Sequence, residues 1–143
     1  RSIRRQRQMC IRDSLYSMDG TITNVSKYVQ LAKKYNALTY LDEVHAVGLY
    51  GERGSGIANK FGASNEIDII NGTLAKAFGQ IGGYVTGDKY IIDFIRSFTP
   101  GFIFTTSLMP SVVAACKKSI EIVESADDLR SQILEKAYTS KNN

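Results

Sequence analysis

The sequence predicts a layered α/β fold, because apolar segments of strand length alternate with helix-like segments along the chain. Four short apolar segments lie between positions 37 and 104. Segments with apolar residues at helical spacing, or long glycine-containing connections, separate them. Strands that alternate with helices pack as a sheet covered by helices, and 143 residues is about the length of a single domain.

The first predicted helix follows Asn24, whose short polar side chain suits an N-cap position. Apolar residues continue at helical spacing until Asn36, a residue type that tolerates the left-handed conformation at a helix end. The segment 37–41 then indicates a buried strand that ends at Asp42. A loop is predicted next because four glycines are closely spaced there, namely Gly48, Gly51, Gly54 and Gly56.

The rest of the pattern alternates in the same way. Three further strands are predicted over residues 67–70, 82–86 and 102–104. Asp88 is a suitable cap for a helix between the last two of these strands. Pro110 suits the first turn of the last clear helix, and Asp127 is expected to begin one more helical segment.

The net charge of +4 is confined to the N-terminus. Residues 1–13 contain five arginines and one acid, and the remainder carries equal numbers of basic and acidic residues. A nucleic-acid-binding surface spreads basic residues over a folded face. Residues 9–14, Met-Cys-Ile-Arg-Asp-Ser, resemble the translation of a transposon-end adapter used in sequencing libraries. We therefore expect residues 1–14 to be a non-native tail and expect no nucleic-acid partner, with an RNA- or DNA-binding arm as the alternative.

The apolar runs, the N-terminal segment and the cysteines of the sequence exclude other classes of protein. No apolar run approaches the roughly 20 residues of a membrane-spanning helix, so no membrane partner is expected. The basic start is not followed by the apolar stretch of a secretory signal. Cys10 and Cys116 lack metal or redox spacing, and a reducing compartment is the default for unpaired cysteines.

The first chemically informative cluster is the segment from Asp42 to His45. Asp42 directly follows an apolar strand, so its carboxylate is expected to be partly buried and to need a partner. A protonated ring nitrogen of a cofactor is one such partner, and a helix cap or a structural ion pair is the alternative. A metal site formed by Asp42, Glu43 and His45 is weakly indicated, because His45 is the only histidine in the chain.

The second cluster surrounds Lys76, which follows an apolar strand and lies among small and apolar residues. Burial among such residues would disfavour the ammonium form, and a neutral amine can attack a carbonyl to form an imine. For a lysine considered in isolation, the stronger alternative is a side chain that keeps its charged end in water.

The third cluster is the hydroxyl-rich segment Thr105-Thr106-Ser107, which precedes a predicted helix. Hydroxyls and free backbone N–H groups at the start of a helix suit a phosphate. Ordinary helix capping by Thr106 or Ser107 explains the same pattern equally well.

The three clusters together, in this order, resemble the core of the α-oxoamine synthase family, which are fold-type I enzymes dependent on pyridoxal 5′-phosphate (PLP). The similar segments cover most of residues 15–125 and include 16–20, 42–51, 72–79 and 101–107. The motifs are most similar to the branch of the family that makes 5-aminolevulinate. The resemblance implies part of the family's large domain, with a mostly parallel central sheet flanked by helices.

The resemblance also implies roles for residues near the cofactor ring. Lys76 matches the Schiff-base lysine, which also transfers the proton at the glycine α-carbon. Asp42 matches the carboxylate that keeps the pyridine nitrogen protonated, so that the ring becomes an electron sink. His45 matches a residue near the 3′-oxygen of the cofactor, and Ser17 matches another cofactor contact.

Three threonines match phosphate ligands in the family. Thr73 corresponds to a ligand from the same chain. Thr105 and Thr106 correspond to ligands that reach into the site of a neighbouring subunit, which implies a homodimer with shared active sites.

The implied reaction condenses glycine with succinyl-coenzyme A (CoA) to give 5-aminolevulinate, CoA and carbon dioxide, the first step of haem biosynthesis in organisms that use this route. Residues 15–125 would form a partial PLP-binding large domain, and residues 126–143 would begin the connection to a small domain. Because regions that stack on the cofactor and grip the substrate carboxylate are missing, we expect the chain alone to be inactive.

Two other functions remain open at this stage. One is a sibling synthase that uses another acyl-CoA or amino acid, and the other is a non-catalytic α/β module that binds a phosphate ligand. Family members occur in the bacterial cytoplasm and the mitochondrial matrix. The frequent lysine, asparagine and isoleucine residues are typical of an AT-rich genome, so the bacterial cytoplasm is the expected location.

Overall fold

The computed structural model describes residues 9–141 of the chain. Most of the arginine-rich segment predicted to be a tail, residues 1–8, lies outside the described residues. Within the described part, no helix is long and apolar enough to cross a membrane.

A four-stranded sheet forms the centre of the fold. Its strands are β1 (Met9–Asp13), β2 (Leu38–Asp42), β3 (Ile69–Thr73) and β4 (Gly83–Gly87), in the spatial order β1-β2-β3-β4. The first two pairings are parallel, and β4 runs antiparallel to β3. The predicted α/β fold with a mostly parallel sheet is therefore confirmed.

The edge strand β1 includes residues that the sequence assigned to the tail. It pairs with β2 along its whole length, from Met9 opposite Leu38 to Asp13 opposite Asp42. Ser14 follows directly and is fully buried. Residues 9–13 therefore form part of the sheet. The non-native origin of this stretch stays a prediction, which an independent genomic copy with a different upstream sequence would confirm.

Six helices surround the sheet in the described part of the chain. They are α1 (Val25–Lys34), α2 (Ile57–Lys60), α3 (Lys89–Phe98), α4 (Pro100–Ile103), α5 (Pro110–Glu124) and α6 (Asp127–Lys141). Short 3₁₀ turns also occur at Glu52–Gly54 and Ser64–Glu66.

The predicted helix ends agree with the structure because their signals are local. The Asn24 carboxamide accepts the N–H of Lys27, and the Asp88 carboxylate accepts the N–H of Tyr90. Asn36 adopts a φ of 48°, and Pro110 occupies the first turn of α5. Each of these residues satisfies or replaces a backbone group that a helix end leaves free.

The strand predicted over residues 102–104 is wrong. Residues Pro100–Ile103 form the short helix α4, in which the N–H groups of Ile103 and Phe104 donate to the carbonyls of Thr99 and Pro100, each at 3.0 Å. Proline fixes φ near the helical value and is favoured in the first helical turn. Three apolar residues are too few to distinguish a strand from a helix by periodicity, so the nucleating Pro100 decides the outcome.

Two apolar clusters hold these elements together. The larger joins α1, β2 and the segment 57–67, and Leu41 and Ile57 are fully buried at its centre. Burying each such side chain contributes about 1.5–3 kcal/mol. The smaller cluster packs α5 against the loops that follow β2 and β3, and its buried members are Val47, Leu74, Phe78 and Cys116.

Candidate active site

The carboxyl end of β2 places Asp42 at the edge of the sheet. The side chain is half-buried. Its Oδ1 atom accepts the backbone N–H of Val44 at 2.8 Å, and its Oδ2 atom accepts Nδ2 of Asn71 on β3 at 3.2 Å. The predicted partial burial of this carboxylate is therefore observed, and the two donors fix its orientation, while no Lys or Arg of residues 9–141 forms an ion pair with it.

A tight turn carries His45 directly after Asp42. The carbonyl of Glu43 accepts the N–H groups of Ala46 and Val47, both at 2.8 Å, and this closes the turn. The His45 side chain is half-buried and makes no hydrogen bond to any residue in the range 9–141. The ring is thus held by its backbone, and its nitrogen atoms are open to a ligand.

The weakly indicated metal site does not form. The Glu43 carboxylate points into the core, where it accepts hydrogen bonds from Ser14 and from the backbone of residues 57 and 58. Across residues 9–141, no three His, Cys, Asp or Glu side chains cluster so that they would hold a metal ion.

Lys76 lies in the loop between β3 and β4, residues 74–82, which follows the carboxyl end of β3. Backbone bonds close this loop on itself: Leu74 N–H donates to Gly82 at 2.9 Å, and Gln80 N–H donates to Leu74 at 2.7 Å. A further turn forms where the N–H of Gly79 donates to the Lys76 carbonyl at 2.9 Å. The lysine is therefore presented on a short, internally bonded loop.

Of the two environments considered for Lys76, the structure has the one in which the charged end stays in water. Lys76 is exposed, and so are its neighbours Ala75 and Ala77. The apolar residues of the loop that are buried, Leu74 and Phe78, point away into the smaller cluster beneath it. The pattern of small and apolar residues around the lysine therefore reflects anchoring of the loop rather than enclosure of the amine.

The loops that carry His45 and Lys76 are in contact. Gly48 has a φ of +86°, and a Cβ added to it would lie 2.4 Å from the Cβ of Ala77. Val47 from the first loop and Leu74 and Phe78 from the second pack in one cluster with Cys116 of α5. Because β2 and β3 are parallel, both loops leave the same edge of the sheet, where α/β folds bind ligands.

Thr73, at the end of β3, is half-buried beside this edge. Its hydroxyl donates to the carbonyl of Gly82 at 3.1 Å and accepts the N–H of Ala75 at 3.1 Å. The hydroxyl proton is thus already used within the loop, and a phosphate bound by Thr73 would have to replace the Gly82 carbonyl.

The three remaining predicted residues lie on the protein surface. Ser17 is exposed in the turn after β1, and Thr105 and Thr106 are exposed between α4 and α5. Within the part of the chain that the structure describes, none of the three side chains bonds to Asp42, His45 or the Lys76 loop. The segment that follows Thr106 does approach that loop, because Leu108 Cδ1 lies 3.3 Å from where a Cβ on Gly82 would be.

Two residues that position the site were not predicted from sequence. Asn71 contacts Asp42 across the parallel pair, and Glu43 anchors the turn between Asp42 and His45. The polar Asn71, directly after the apolar pair Ile69-Ile70, was the available signal. The parallel register, which sets Asn71 opposite Asp42, would have completed the inference.

Two tyrosines near the site have altered acidity. Burial raises the pKa of Tyr40 above its ordinary value, and the charge of Asp42 raises it further. Burial likewise raises the pKa of Tyr84, with a second contribution from the charge of Glu43. Both effects disfavour the phenolate, which would lie in a poorly solvated place beside another negative charge.

A family model described as aminotransferase class I and II matches residues 1–141. The chain belongs to this family. One curated relative, the 5-aminolevulinate synthase of Bradyrhizobium diazoefficiens, is 56% identical to this aminotransferase class I and II chain over 76% of its length. That of Rickettsia prowazekii is 51% identical over 91% of the chain. These matches cover 27% and 31% of the two relatives, so the chain spans less than a third of their length.

Solved structures of other enzymes have the same fold as this aminotransferase class I and II chain. A serine palmitoyltransferase from S. paucimobilis with a bound PLP–myriocin aldimine superposes with a TM-score of 0.85 at 32% identity, over 90% of this chain and 32% of that one. The 8-amino-7-oxononanoate synthase from Francisella tularensis gives a TM-score of 0.75 at 29% identity, over 90% and 38% of the two chains.

Proposed function

We propose that the chain is the cofactor-binding core of a longer 5-aminolevulinate synthase, which condenses glycine with succinyl-CoA to give 5-aminolevulinate, CoA and carbon dioxide. The contact between Gly48 and Ala77 is the observation that carries the proposal, since it brings the Asp42–His45 turn and the Lys76 loop to one edge of the sheet. The 5-aminolevulinate synthases at 50–56% identity support the choice of reaction.

The chemistry of the donor set fits PLP. An amine, a carboxylate and an imidazole leave the same edge of a parallel sheet, and the ligand would need complementary groups: an aldehyde, a ring nitrogen and a phenolic oxygen. When bound, PLP would supply an electron sink next to the α-carbon of glycine. Lys76 would hold the cofactor covalently, and its Nζ atom would then move the proton at the glycine α-carbon.

The remaining site residues would orient the cofactor. Asp42 would keep the proton on the pyridine nitrogen, because its carboxylate is fixed by Val44 and Asn71 and forms no ion pair with a basic side chain in the described range 9–141. His45 would contact the 3′-oxygen, Ser17 would supply another contact, and Thr73 would bind the phosphate in place of its bond to Gly82.

A homodimer with shared active sites is part of the proposal. Thr105 and Thr106 are exposed in the segment before α5, and no hydrogen bond joins their hydroxyls to any of residues 9–141. As the resemblance to the family implies, these hydroxyls would bind the phosphate held by the partner subunit.

Catalysis would require more than this chain. Lys76 is exposed here, whereas a catalytic lysine needs a site that excludes water. We propose that residues 15–125 are part of a large domain, that residues 126–143 begin the connection to a small domain, and that the chain alone is inactive. Formation of 5-aminolevulinate by the isolated chain would overturn this point.

The decisive experiment replaces the lysine in the full-length protein. Wild-type protein should show the visible absorbance of lysine-bound PLP, and Lys76→Ala should abolish it together with turnover. Lys136→Ala, an exposed lysine on α6, is the matched control and should leave both unchanged. Visible absorbance that survives in Lys76→Ala would overturn the assignment of the lysine. A wild-type protein without visible absorbance would overturn the proposal and would favour a module that binds a phosphate ligand without catalysis.

A sibling synthase is the second candidate, because the serine palmitoyltransferase from S. paucimobilis has the same fold at 32% identity. Assays of the full-length enzyme with glycine or serine, each offered with succinyl-CoA or a long-chain acyl-CoA, distinguish the two. Product from glycine and succinyl-CoA alone supports 5-aminolevulinate synthesis.

We propose the bacterial cytoplasm as the location, with the mitochondrial matrix as the alternative. The relatives in Bradyrhizobium, Paracoccus and Rickettsia support a bacterial source. The genomic copy of the gene, with its neighbours, tests this assignment.

A further inference from the structure

Glu43 is a charged side chain in the core, with an exposed fraction of 1%. Its carboxylate accepts three hydrogen bonds: from Ser14 Oγ at 2.7 Å, from the N–H of Ile57 at 2.9 Å and from the N–H of Ala58 at 2.7 Å. A buried carboxylate is tolerated only when donors satisfy it in this way. The residue at position 56 must also be glycine, since a Cβ there would lie 2.8 Å from the carboxylate carbon.

The backbone of Glu43 connects this buried side chain to the candidate active site. Its N–H donates to the carbonyl of Asn71 at 2.8 Å, and its carbonyl accepts the N–H groups of Ala46 and Val47 that close the His45 turn. One residue thus links the end of β1, the start of α2, the end of β3 and the turn that presents His45.

We propose that Glu43 is a positioning residue. By accepting three hydrogen bonds, its carboxylate fixes the positions of Asp42 and His45 relative to the cofactor. This inference rests on the proposed function, because it assigns Asp42 and His45 to a PLP site. Glu43 itself touches neither the ligand nor Lys76, as its carboxylate faces the core. Its charge acts by fixing the chain on both sides of the turn.

A carboxylate suits this position because it accepts from all three donors and offers no hydrogen of its own. In Glu43→Gln the side chain keeps its size, but its NH₂ group must face either Ile57 N–H or Ala58 N–H. One donor then loses its acceptor, and the turn must shift to restore a partner.

A matched control separates positioning from stability alone. Asp68 is also a carboxylate and directly precedes β3, and its Oδ2 atom accepts the N–H and the hydroxyl of Thr39, both at 2.8 Å. Thr39 lies near the start of β2, away from the carboxyl edge that carries Asp42. Asp68→Ala therefore weakens the same sheet without releasing the His45 turn.

The test uses full-length protein titrated with PLP, read by visible absorbance and visible circular dichroism, with thermal unfolding measured in parallel. Glu43→Gln should bind PLP roughly tenfold more weakly or worse, the scale of one hydrogen bond to a charged group, and should change the circular dichroism of the bound cofactor. Asp68→Ala should lower the unfolding temperature but keep the wild-type affinity and spectrum. Ser14→Ala, which removes one donor only, should shift both PLP readouts in the same direction by less.

Each other outcome is decisive. Wild-type affinity and spectrum in Glu43→Gln would overturn the inference, and so would the same spectral change in Asp68→Ala. If Glu43→Gln does not fold, unchanged PLP binding in Ser14→Ala overturns the inference. A wild-type protein with no visible PLP absorbance would overturn the proposed function, and this inference with it.

Discussion

Gly48 and Ala77 meet where the two site-bearing loops touch, and there is no space between them for one more carbon. A Cβ on Gly48 would lie 2.4 Å from the Cβ of Ala77, far inside contact distance. Ala77 immediately follows Lys76. The position of the lysine loop relative to the His45 turn is therefore set by direct contact between backbone and a methyl group, rather than by long flexible side chains.

Gly48→Ala in the full-length protein should lower the free energy of unfolding by about 2–4 kcal/mol. The added methyl overlaps Ala77, and the φ of +86° is strained for any residue with a Cβ. Gly62→Ala isolates the strain, since Gly62 has a φ of +67° with nothing within 4 Å of an added Cβ, and should cost only about 1 kcal/mol. Denaturant unfolding of both variants measures the difference, and equal losses would show that the contact is unimportant.

Asn71→Asp should weaken PLP binding at neutral pH. The new carboxylate would replace the Nδ2 donor that lies 3.2 Å from Asp42 Oδ2, and two adjacent carboxylates raise the pKa of one of them. Asp42 would then hold the ring nitrogen less well. Asn65→Asp, at an exposed position, introduces the same charge as a control. PLP titrations of the full-length variants provide the measurement, and identical affinities would contradict the assigned role of Asn71.

Ser119→Ala should destabilise the attachment of α5 to the Lys76 loop. The Ser119 hydroxyl donates to the carbonyl of Phe78 at 2.6 Å, and Phe78 anchors the loop in the smaller cluster. Loss of this bond should cost about 1–2 kcal/mol. Ser131→Ala removes an exposed bond to a helix carbonyl and should stay within about 0.5 kcal/mol of wild type. Chemical unfolding of the two serine variants tests this pair, and a neutral Ser119→Ala would contradict it.

Stability should fall as the solution is made strongly alkaline. The folded-state pKa values of Tyr40 and Tyr84 are raised by burial and by nearby carboxylates, so the unfolded chain ionises these tyrosines first. Their contribution is fully present below about pH 10, the ordinary tyrosine pKa, and is lost as pH rises through the raised values.

Tyr84→Phe checks this linkage. The variant should show a weaker loss of stability between neutral and alkaline pH than wild type, when unfolding is followed at a series of pH values. Tyr90→Phe is the exposed control and should keep the wild-type profile. A profile for Tyr84→Phe that matches wild type would show that this tyrosine does not ionise within the alkaline transition.

Local signals were read correctly from the sequence, whereas long-range partners were not. The helix caps formed by Asn24 and Asp88 depend on residues only a few positions away in the chain. The three polar clusters were recognised in the same way, from residues that are neighbours in the sequence. The bonds from Asn71 to Asp42 and from Ser14 to Glu43 each join residues 29 positions apart. Only the register of neighbouring strands supplies such pairs.

The incorrect strand at 102–104 has a local cause. Three apolar residues are compatible with a strand, but Pro100 favours a helical start. The environment of Lys76 could not be decided from sequence, because the composition of its neighbours does not say which of them face the core.

The antiparallel turn that holds Lys76 also bears on the order of folding. Pairs between β3 and β4 join neighbouring parts of the chain, whereas β1, β2 and β3 come together only after long segments have been ordered. Hairpins close in about 1–10 μs, much faster than distant parallel strands find each other. We therefore expect the loop that holds Lys76 to form early, so that Asp42 and His45 assemble against a loop that is already in place.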